Sequence, residues 1–482
     1  MSILSLEFLL LATGIIIVYF LLPLKIRWIA LLCGSAAFIA LSGWQSAAHL
    51  TAAALLMWAG GLLLKRRKSR LLLAMFLLLD LGTMAFLKYY PALSGAQLIL
   101  PLGLSYFTFQ SAGYLIDVYR GKAEAQKNPL RAWLFIGYFP QLAQGPISTW
   151  KELGPQLLTG RRFEPDMFVS GFQLMLWGYF KKMVIADRLA SATTALLGGG
   201  EMPGWFILGG VILYTIRLYM DFSGGMDTVR GISRMLGIEL PENFRRPFFS
   251  QSVAEYWRRW HITLGAWFRS YLMYPLTTSK TGIALGKAAS KAFGKKTGRT
   301  VPSALATLLV FLLIGVWHTA NWNAVVFGAY FGVVMAVSML LDPLWKTMRN
   351  TLSLPKKGWM VPLRLVRTWV LILLAQYFAF TLQPAQGLSL LTGTFINWSF
   401  AGFAEKMTAV MEPLEWIIAG AGCFVVLVVD LICERKPDLS DRLAKTHFFI
   451  RWPLLLALIL AIVVFGIYGT GYDAAAFLYT QF

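Results

Sequence analysis

The stretch VPSALATLLVFLLIGVWHTANWNAVVFGAYFGVVMAVSMLL (301–341) contains two long apolar runs with a short polar segment between them. A helix needs about 20 apolar residues to cross a bilayer, and each run approaches that length. The intervening segment, GVWHTANWN (315–323), carries a histidine, two tryptophans and two asparagines. The stretch therefore predicts two membrane helices joined by a polar turn.

The composition extends this interpretation to the whole chain. Of its 482 residues, 57% are hydrophobic and only 14% are charged, whereas a soluble domain carries about 25% charged residues. We therefore predict an all-α polytopic membrane protein with about 10 to 12 transmembrane helices and additional re-entrant and interfacial helices. The candidate runs are 3–24, 28–43, 47–64, 71–87, 97–118, 131–147, 168–187, 205–222, 301–317, 322–341, 361–381, 415–432 and 452–468.

Because the runs are spread from end to end, we expect one membrane domain over 1–482. Its segments are N-terminal helices (1–88), a motif-bearing core (89–342) and C-terminal helices (343–482). The first run carries one charge, Glu7, and no basic segment precedes it. It is therefore interpreted as a membrane helix and not as a signal peptide.

The formal net charge of +21 comes from basic residues in short loops between apolar runs, which is the pattern of cytoplasmic loops. This distribution places both termini outside and gives no indication of nucleic-acid binding. The segment 278–300 predicts a cytoplasmic loop with an amphipathic basic helix at 283–293. Some of the positive charge could also receive an acidic cytoplasmic partner.

Two of the four histidines stand among aromatic residues beside membrane runs. His318 follows the run 301–317, where its imidazole could transfer protons near neutral pH, with Asn321 one helical turn later. A satisfied histidine in an outside turn explains its residue type equally well. His49 and His447 are expected to be interfacial or solvated.

The other histidine, His261, belongs to a second polar stretch. Ser252 and Glu255 predict a capping box at the start of a helix, and Glu255 and Arg259 an i,i+4 ion pair. A continuous helix would place Trp257, His261, Leu264 and Phe268 on one face. This helix is expected to lie in the cytoplasmic interface or to dip into the bundle, and simple anchoring is an equally good explanation.

Other polar positions give weaker indications. Asp221 follows Arg217 by four residues and is expected to pair with it. The segment PQLAQGP (140–146) indicates a broken helix beside a cavity. The three cysteines have no metal-ligand spacing, so no metal site is expected. No nucleotide-binding loop, zinc-protease motif or serine-hydrolase elbow is present.

Four segments together resemble the membrane-bound O-acyltransferase family, and within it most the bacterial alginate O-acetylation proteins. They are PLGLSYFTFQSAGYLIDVYRG (101–121), FPQLAQGPI (139–147), YMDFSGGMDTVRGISRMLGIELPENFRRPF (219–248) with YWRRWHITLGAWFRSYLMYPL (256–276), and GVWHTANW (315–322). The ending FLYTQF (477–482) is also similar. The match covers roughly residues 85 to 340, the middle of the chain.

The resemblance implies acyl transfer, commonly of acetyl, from an activated donor to a hydroxyl group of an exported polymer. His318 matches the family's catalytic histidine and His261 its second histidine, and a central tunnel would join donor and acceptor. Asn321 and Trp317 are candidates for substrate or oxyanion binding. Thr319 departs from the family, which usually has glycine after the histidine.

The resemblance also implies the partners. An acyl thioester, either acetyl-CoA or an acyl carrier protein, would serve as the cytoplasmic substrate, with no permanently bound cofactor. The acceptor would be an extracytoplasmic polysaccharide or an exported partner protein, and the protein would lie in the bacterial cytoplasmic membrane. Basic residues on the donor side would receive the phosphate or acidic groups; these are Arg245, Arg246, Arg258, Arg259 and Arg269.

Three alternatives remain open from the sequence. The first keeps the family and transfers D-alanine from a carrier protein toward teichoic acids. The second is a polysaccharide or lipid transporter without acyl chemistry. The third is a scaffold of a secretion complex.

Overall fold

A computed structural model describes residues 2–198, 202–351, 360–396, 398–436 and 439–468. Within these ranges the secondary structure is helical apart from one isolated antiparallel bridge, Phe244 to Trp260. The ending 477–482, noted for its similarity, lies outside the described residues.

The first eleven helices are α1 (Leu6–Leu21), α2 (Arg27–Leu41), α3 (Trp44–Arg66), α4 (Arg70–Ser94), α5 (Leu104–Tyr119), α6 (Pro129–Gly137), α7 (Phe139–Gln144), α8 (Trp150–Leu158), α9 (Pro165–Tyr179), α10 (Asp187–Leu197) and α11 (Gly204–Met235). A π-helical turn, Phe180–Ala186, joins α9 to α10.

The remaining helices are α12 (Val253–Arg259), α13 (Ile262–Phe268), α14 (Tyr274–Thr278), α15 (Lys280–Gly298), α16 (Val301–His318), α17 (Trp322–Thr351), α18 (Met360–Phe380), α19 (Pro384–Gly393), α20 (Phe403–Val410), α21 (Pro413–Arg435), α22 (Leu439–Ala444) and α23 (Phe448–Phe465). A second π-helical turn, Arg269–Met273, lies between α13 and α14.

In the described part of the chain, nine helices are long and apolar enough to cross a membrane. They are α2, α3, α4, α11, α16, α17, α18, α21 and α23. The predicted all-α, polytopic class is confirmed, and the protein is a multi-pass membrane protein.

Two of the predicted runs are interrupted. The run 97–118 becomes helical only at Leu104, after Gly103 in a left-handed conformation with φ of 71°. The run 131–147 forms two short helices, α6 and α7, which are separated at Tyr138. Since α6 has nine residues and α7 has six, neither can span the bilayer at about 1.5 Å per residue.

By its internal contacts, the described chain divides into two compact units. The first comprises the described residues within 1–188, 217–243 and 413–481, and the second those within 189–216 and 244–412. The predicted organisation as one domain in three segments stays a prediction.

Glycines let α9 and α11 approach closely in the first unit. A Cβ at Gly171 would lie 2.7 Å from the carbonyl oxygen of Gly231, and one at Gly178 would collide with that of Gly224. Small residues permit such close helix contacts in membrane proteins. This contact brings the π-helical turn beside α11, where Lys182 pairs with Asp221 and lies 2.8 Å from Asp187.

The second unit contains the hairpin of α16 and α17. The ring of Trp257 from α12 packs edge-on against Phe311 and Phe331, with centroids 5.0 Å away in each case. Phe311 lies in the middle of α16. The helix α12 therefore dips between the membrane helices of this unit, as one of the two sequence interpretations predicted.

Candidate active site

The close packing of α16 and α17 fixes the position of His318. A Cβ at Gly315 would collide with the carbonyl oxygen of Ala324, and one at Gly328 with that of Phe311. His318 is the last residue of α16 and is half-buried. Because the two glycines set the distance between the helices, they also set the position of the His318 imidazole at the end of α16.

The turn after His318 is built by its own polar residues. The amide N–H of Ala324 donates to Oδ1 of Asn321 at 2.9 Å, so Asn321 caps the start of α17. Its carbonyl oxygen is thus engaged, and its side-chain NH2 group remains the part able to donate to an oxyanion. Thr319 has φ of −155° and ψ of 154°, an extended conformation that a β-branched residue favours. The backbone at this position needs no glycine.

Asn323 is a buried residue for which no role was predicted from the sequence. Its Nδ2 donates to Oγ1 of Thr381 at 2.8 Å and also to the carbonyl oxygen of Thr381. The contact ties the start of α17 to the residue that follows α18. An asparagine at the beginning of an apolar run was a usable signal, because a buried amide requires a hydrogen-bond partner.

The predicted continuous helix through His261 is wrong. The helix α12 ends at Arg259, α13 begins at Ile262, and His261 has a left-handed conformation with φ of 46° and ψ of 52°. Such a conformation in a residue other than glycine costs about 1–3 kcal/mol and persists only where the surroundings impose it. The four apolar-face residues predicted from one helical period therefore do not share one helix.

The segment before α12 imposes this turn. Phe244 pairs with Trp260 in the isolated bridge, and the amide of Arg245 donates to the carbonyl of Arg259 at 2.8 Å. The ring of Trp260 stacks on Tyr256 and meets Phe244 edge-on. These contacts fix the backbone on the N-terminal side of His261.

The capping prediction at Ser252 is partly confirmed. Oγ of Ser252 accepts from the amide of Glu255 at 3.1 Å. The carboxylate of Glu255 accepts from Gln251 at 2.9 Å, where a capping box would place the bond at Ser252. The predicted ion pair of Glu255 with Arg259 is present at 2.8 Å.

One indole ring contacts both of the predicted histidines. The ring centroid of Trp317 lies 6.4 Å from that of His261 and 4.6 Å from that of His318. Trp317 is itself buried. The fold thus brings together three residues of the predicted site, although His261 and His318 are 57 positions apart in the chain.

Burial sets the protonation state of His261. Its side chain is 2% exposed, and burial lowers the pKa of His261 to about 3, because a charged imidazolium is poorly solvated away from water. The imidazole is therefore neutral near pH 7. The half-buried His318 is the more accessible of the two rings.

Known proteins similar to this chain agree with the motifs, although no protein-family model matches. A protein of Azotobacter vinelandii named "Probable alginate O-acetylase AlgI" is 31% identical over 69% of this chain and 61% of its own length. A peptidoglycan O-acetyltransferase of Helicobacter pylori is 30% identical over 50% of this chain and 48% of its own length. A teichoic acid D-alanyltransferase of Bacillus subtilis is 28% identical over 58% of this chain and 71% of its own length.

These relatives are members of the membrane-bound O-acyltransferase family, and the chain is similar to each of them over half of its own length or more. It spans 61% and 48% of the length of the first two relatives. The resemblance predicted from the four segments is thereby confirmed.

The five arginines predicted to face the acyl donor differ in their exposure and their contacts. Arg245, Arg258 and Arg269 are exposed. Arg259 is half-buried in its pair with Glu255, and its guanidinium also donates to the carbonyl of Arg246 at 3.3 Å. The first three present charge at the surface, whereas the other two hold the segment beside the bridge.

Residues of α18 support the same segment and were not predicted from the sequence. The guanidinium of Arg367 donates to the carbonyl of Gln251 at 2.8 Å, and Nε1 of Trp369 donates to that of Phe248 at 3.2 Å. The rings of Trp369 and Phe248 pack with centroids 4.6 Å apart. Hydrogen bonds to loop carbonyls leave no periodic pattern in the sequence, so these roles had no local signal.

Proposed function

We propose that this protein is a membrane-bound O-acyltransferase that transfers an acyl group, acetyl as the first candidate, from a cytoplasmic thioester to hydroxyl groups of an extracytoplasmic polysaccharide. The names of the alginate and peptidoglycan relatives support this activity. The observation that carries the proposal is the contact of Trp317 with both His261 and His318, because it joins two separate family motifs around one accessible imidazole.

The proposed reaction has one nucleophilic step. The hydroxyl oxygen of the acceptor attacks the thioester carbonyl carbon, and the carbon–sulfur bond breaks. His318 takes the hydroxyl proton as the new carbon–oxygen bond forms and returns it to the departing thiolate. A hydroxyl group needs such a base, because it is a weak nucleophile while it holds its proton.

Neighbouring groups have separate roles in this proposal. The side-chain NH2 of Asn321 would donate to the oxygen on which negative charge develops. Trp317 would form an apolar wall against the imidazole of His318. The buried, neutral His261 would line the donor approach through the tunnel and keep Trp317 in position, while Arg245, Arg258 and Arg269 attract the phosphate or acidic groups of the donor.

The proposed setting is the bacterial cytoplasmic membrane with both termini outside. The donor is acetyl-CoA or an acyl carrier protein, and no cofactor is permanently bound. The acceptor is the polysaccharide itself or an exported partner protein that carries the acyl group onward. Nucleic acid has no part in the proposal.

Substitution of His318 tests the proposed activity. In cells that lack the native gene, the His318→Ala variant should insert normally in the membrane, and polymer acylation should fall by about 10²- to 10⁴-fold, the usual contribution of a general base. Mass spectrometry of the surface polymers measures the acyl content. His49→Ala is the matched control, since His49 is also half-buried and bonds the carbonyl of Gln45.

The result can contradict the proposal in two ways. Acylation at the wild-type rate in His318→Ala would remove the catalytic role of this residue. If polymer export depends on the protein and polymer acylation does not, the result favours the transporter alternative.

A second candidate is D-alanyl transfer toward teichoic acids. It is favoured by the Bacillus subtilis relative, of which this chain covers 71%. The same mass spectra separate the two, because an acetyl ester and a D-alanyl ester add different masses. A partner carrier protein with its ligase would accompany D-alanine.

A further inference from the structure

We propose that α15 binds the anionic headgroups of phospholipids through a stripe of lysines. The helix precedes the membrane helix α16, with only Arg299 and Thr300 between them. A membrane span starts at the bilayer surface, so a helix that leads directly into a span ends beside that surface. Amphipathic basic helices lie at this surface. None of the lysines of α15 has a role in the proposed acyl transfer.

Every charged side chain in and around α15 is positive. No aspartate or glutamate occurs between Glu255 and Asp342. Within and just after α15 there are six basic residues, namely Lys280, Lys287, Lys291, Lys295, Lys296 and Arg299, and each is exposed. No acidic side chain in α15 neutralises these lysines, so an anionic surface complements them.

The first three lysines form a stripe. At 100° per residue, Lys280, Lys287 and Lys291 fall within about 40° of one another around the helix. Gly294 then interrupts the helix with φ of 79°. The stripe therefore belongs to the regular part of α15, which includes the amphipathic helix predicted at 283–293.

The side of α15 opposite the lysines is packed against the chain itself. A Cβ at Gly282 would collide with the carbonyl of Leu276, and one at Gly286 would lie 3.3 Å from the ring of Pro302. Ala289, on the same side, is buried. Because these small residues seat the helix, its orientation is fixed and the lysine stripe faces outward.

Exposed apolar side chains favour lipid over an acidic protein as the occupant. Ile283 is 52% exposed and lies about 40° from Lys287 around the helix. Ala284 is also exposed and lies about 40° from Lys280. A bilayer surface accepts both kinds of group at once, because lysine ammonium groups meet the phosphates while the apolar side chains enter the boundary of the acyl chains.

Hydrogen–deuterium exchange of the full-length protein tests the inference. The protein is placed in nanodiscs of phosphatidylcholine alone or with one third phosphatidylglycerol. We expect amides of 280–293 to exchange roughly tenfold more slowly with phosphatidylglycerol, the direction set by cations held near an anionic surface. This difference should shrink as salt is raised toward 1 M, because the Debye length falls to about 3 Å.

A charge-matched pair of variants isolates the stripe. The triple variant Lys280→Gln, Lys287→Gln, Lys291→Gln should lose the difference between the two lipids. The control Lys68→Gln, Lys122→Gln, Lys127→Gln removes the same charge from three exposed lysines and should keep it. Native mass spectrometry should show fewer bound phosphatidylglycerol molecules in the first variant only.

Four outcomes would overturn the inference. They are equal exchange in the two lipids, survival of the difference in the stripe variant, equal protection by millimolar inorganic phosphate in phosphatidylcholine alone, and protection by an acidic carrier protein in detergent but not by phosphatidylglycerol. The last would identify a protein-docking surface. Since exchange is read locally, none of these outcomes depends on acyl transfer.

Discussion

In the first unit, the buried Lys181 and Lys182 are paired with aspartates, whereas in the second unit the buried His261 is neutral and lies beside the indole of Trp317. Both arrangements avoid an uncompensated charge away from water, which would cost several kcal/mol. The first keeps the charges and pairs them. In the second arrangement the imidazole of His261 carries no charge but still has a nitrogen atom that can bind a proton.

This difference indicates what each region does. The lysines link the π-helical turn to α11: Lys181 lies 2.9 Å from Ser223 and 2.6 Å from Asp227, and Lys182 pairs with Asp221. Paired charges of this kind hold helices in register. In the histidine region the buried ring of His261 packs edge-on against the indole of Trp317, and the more accessible ring of His318 is the one that we propose for proton transfer.

The largest effect on stability is expected from Lys182→Met. The change removes the ammonium group that pairs with the buried carboxylates of Asp221 and Asp187, and breaking a buried pair in this way costs about 3–5 kcal/mol in the free energy of unfolding. Thermal unfolding in detergent measures it. Adding Asp221→Leu should recover part of the loss, and a double variant no more stable than Lys182→Met would show that the pair is not coupled.

A smaller loss is expected when the hairpin of the histidine region is forced apart. Gly315→Ala places a methyl group against the carbonyl of Ala324, and overpacking of this kind costs about 1–3 kcal/mol. Polymer acylation should fall with it, because His318 moves. Gly209→Ala is the matched control, since a Cβ there meets nothing within 4 Å. Equal effects of the two variants would rule out the close approach as the cause.

The neutral state of His261 predicts a dependence of stability on pH. In the unfolded chain its pKa is about 6.5, whereas in the folded chain it is about 3. Between these values only the unfolded chain binds the proton, so the contribution of His261 is complete above about pH 6.5 and is lost as the pH falls toward 3.

His261→Asn isolates this contribution. Asparagine tolerates the left-handed backbone and does not titrate. The unfolding midpoint of the wild-type protein should therefore decline more steeply than that of the variant between pH 6.5 and pH 5. Parallel curves would mean that His261 can be protonated in the folded protein.

The smallest effects are expected at the arginines. Arg259→Gln breaks a partly exposed i,i+4 pair and should cost about 0.2–0.5 kcal/mol of stability. Arg258→Gln should leave unfolding unchanged and raise the KM for the acyl donor, because Arg258 is exposed. If the KM for the acyl donor is unchanged in each of Arg258→Gln, Arg245→Gln and Arg269→Gln, the donor binds elsewhere.

Residues near one another in the chain were predicted well. The apolar runs on both sides of GVWHTANWN became α16 and α17, because hydrophobic length is a local property. The cap at Ser252 and the pair of Glu255 with Arg259 likewise depend on neighbours three and four residues away. The ion pair of Asp221 with Lys182 shows the limit, because Lys182 lies 39 positions earlier and no local pattern predicts it. The expected pair of Asp221 with Arg217 stays a prediction.

The sequence by itself determined that this protein is a polytopic helical membrane protein with two histidines in family motifs, since composition and motif order require no knowledge of contacts. Only the tertiary structure decided how those histidines are presented. The pairing of Phe244 with Trp260 forces the left-handed turn at His261, and the packing of α12 on α16 brings that ring to Trp317 beside His318. These contacts join distant residues, and helical periodicity alone predicted a straight helix in their place.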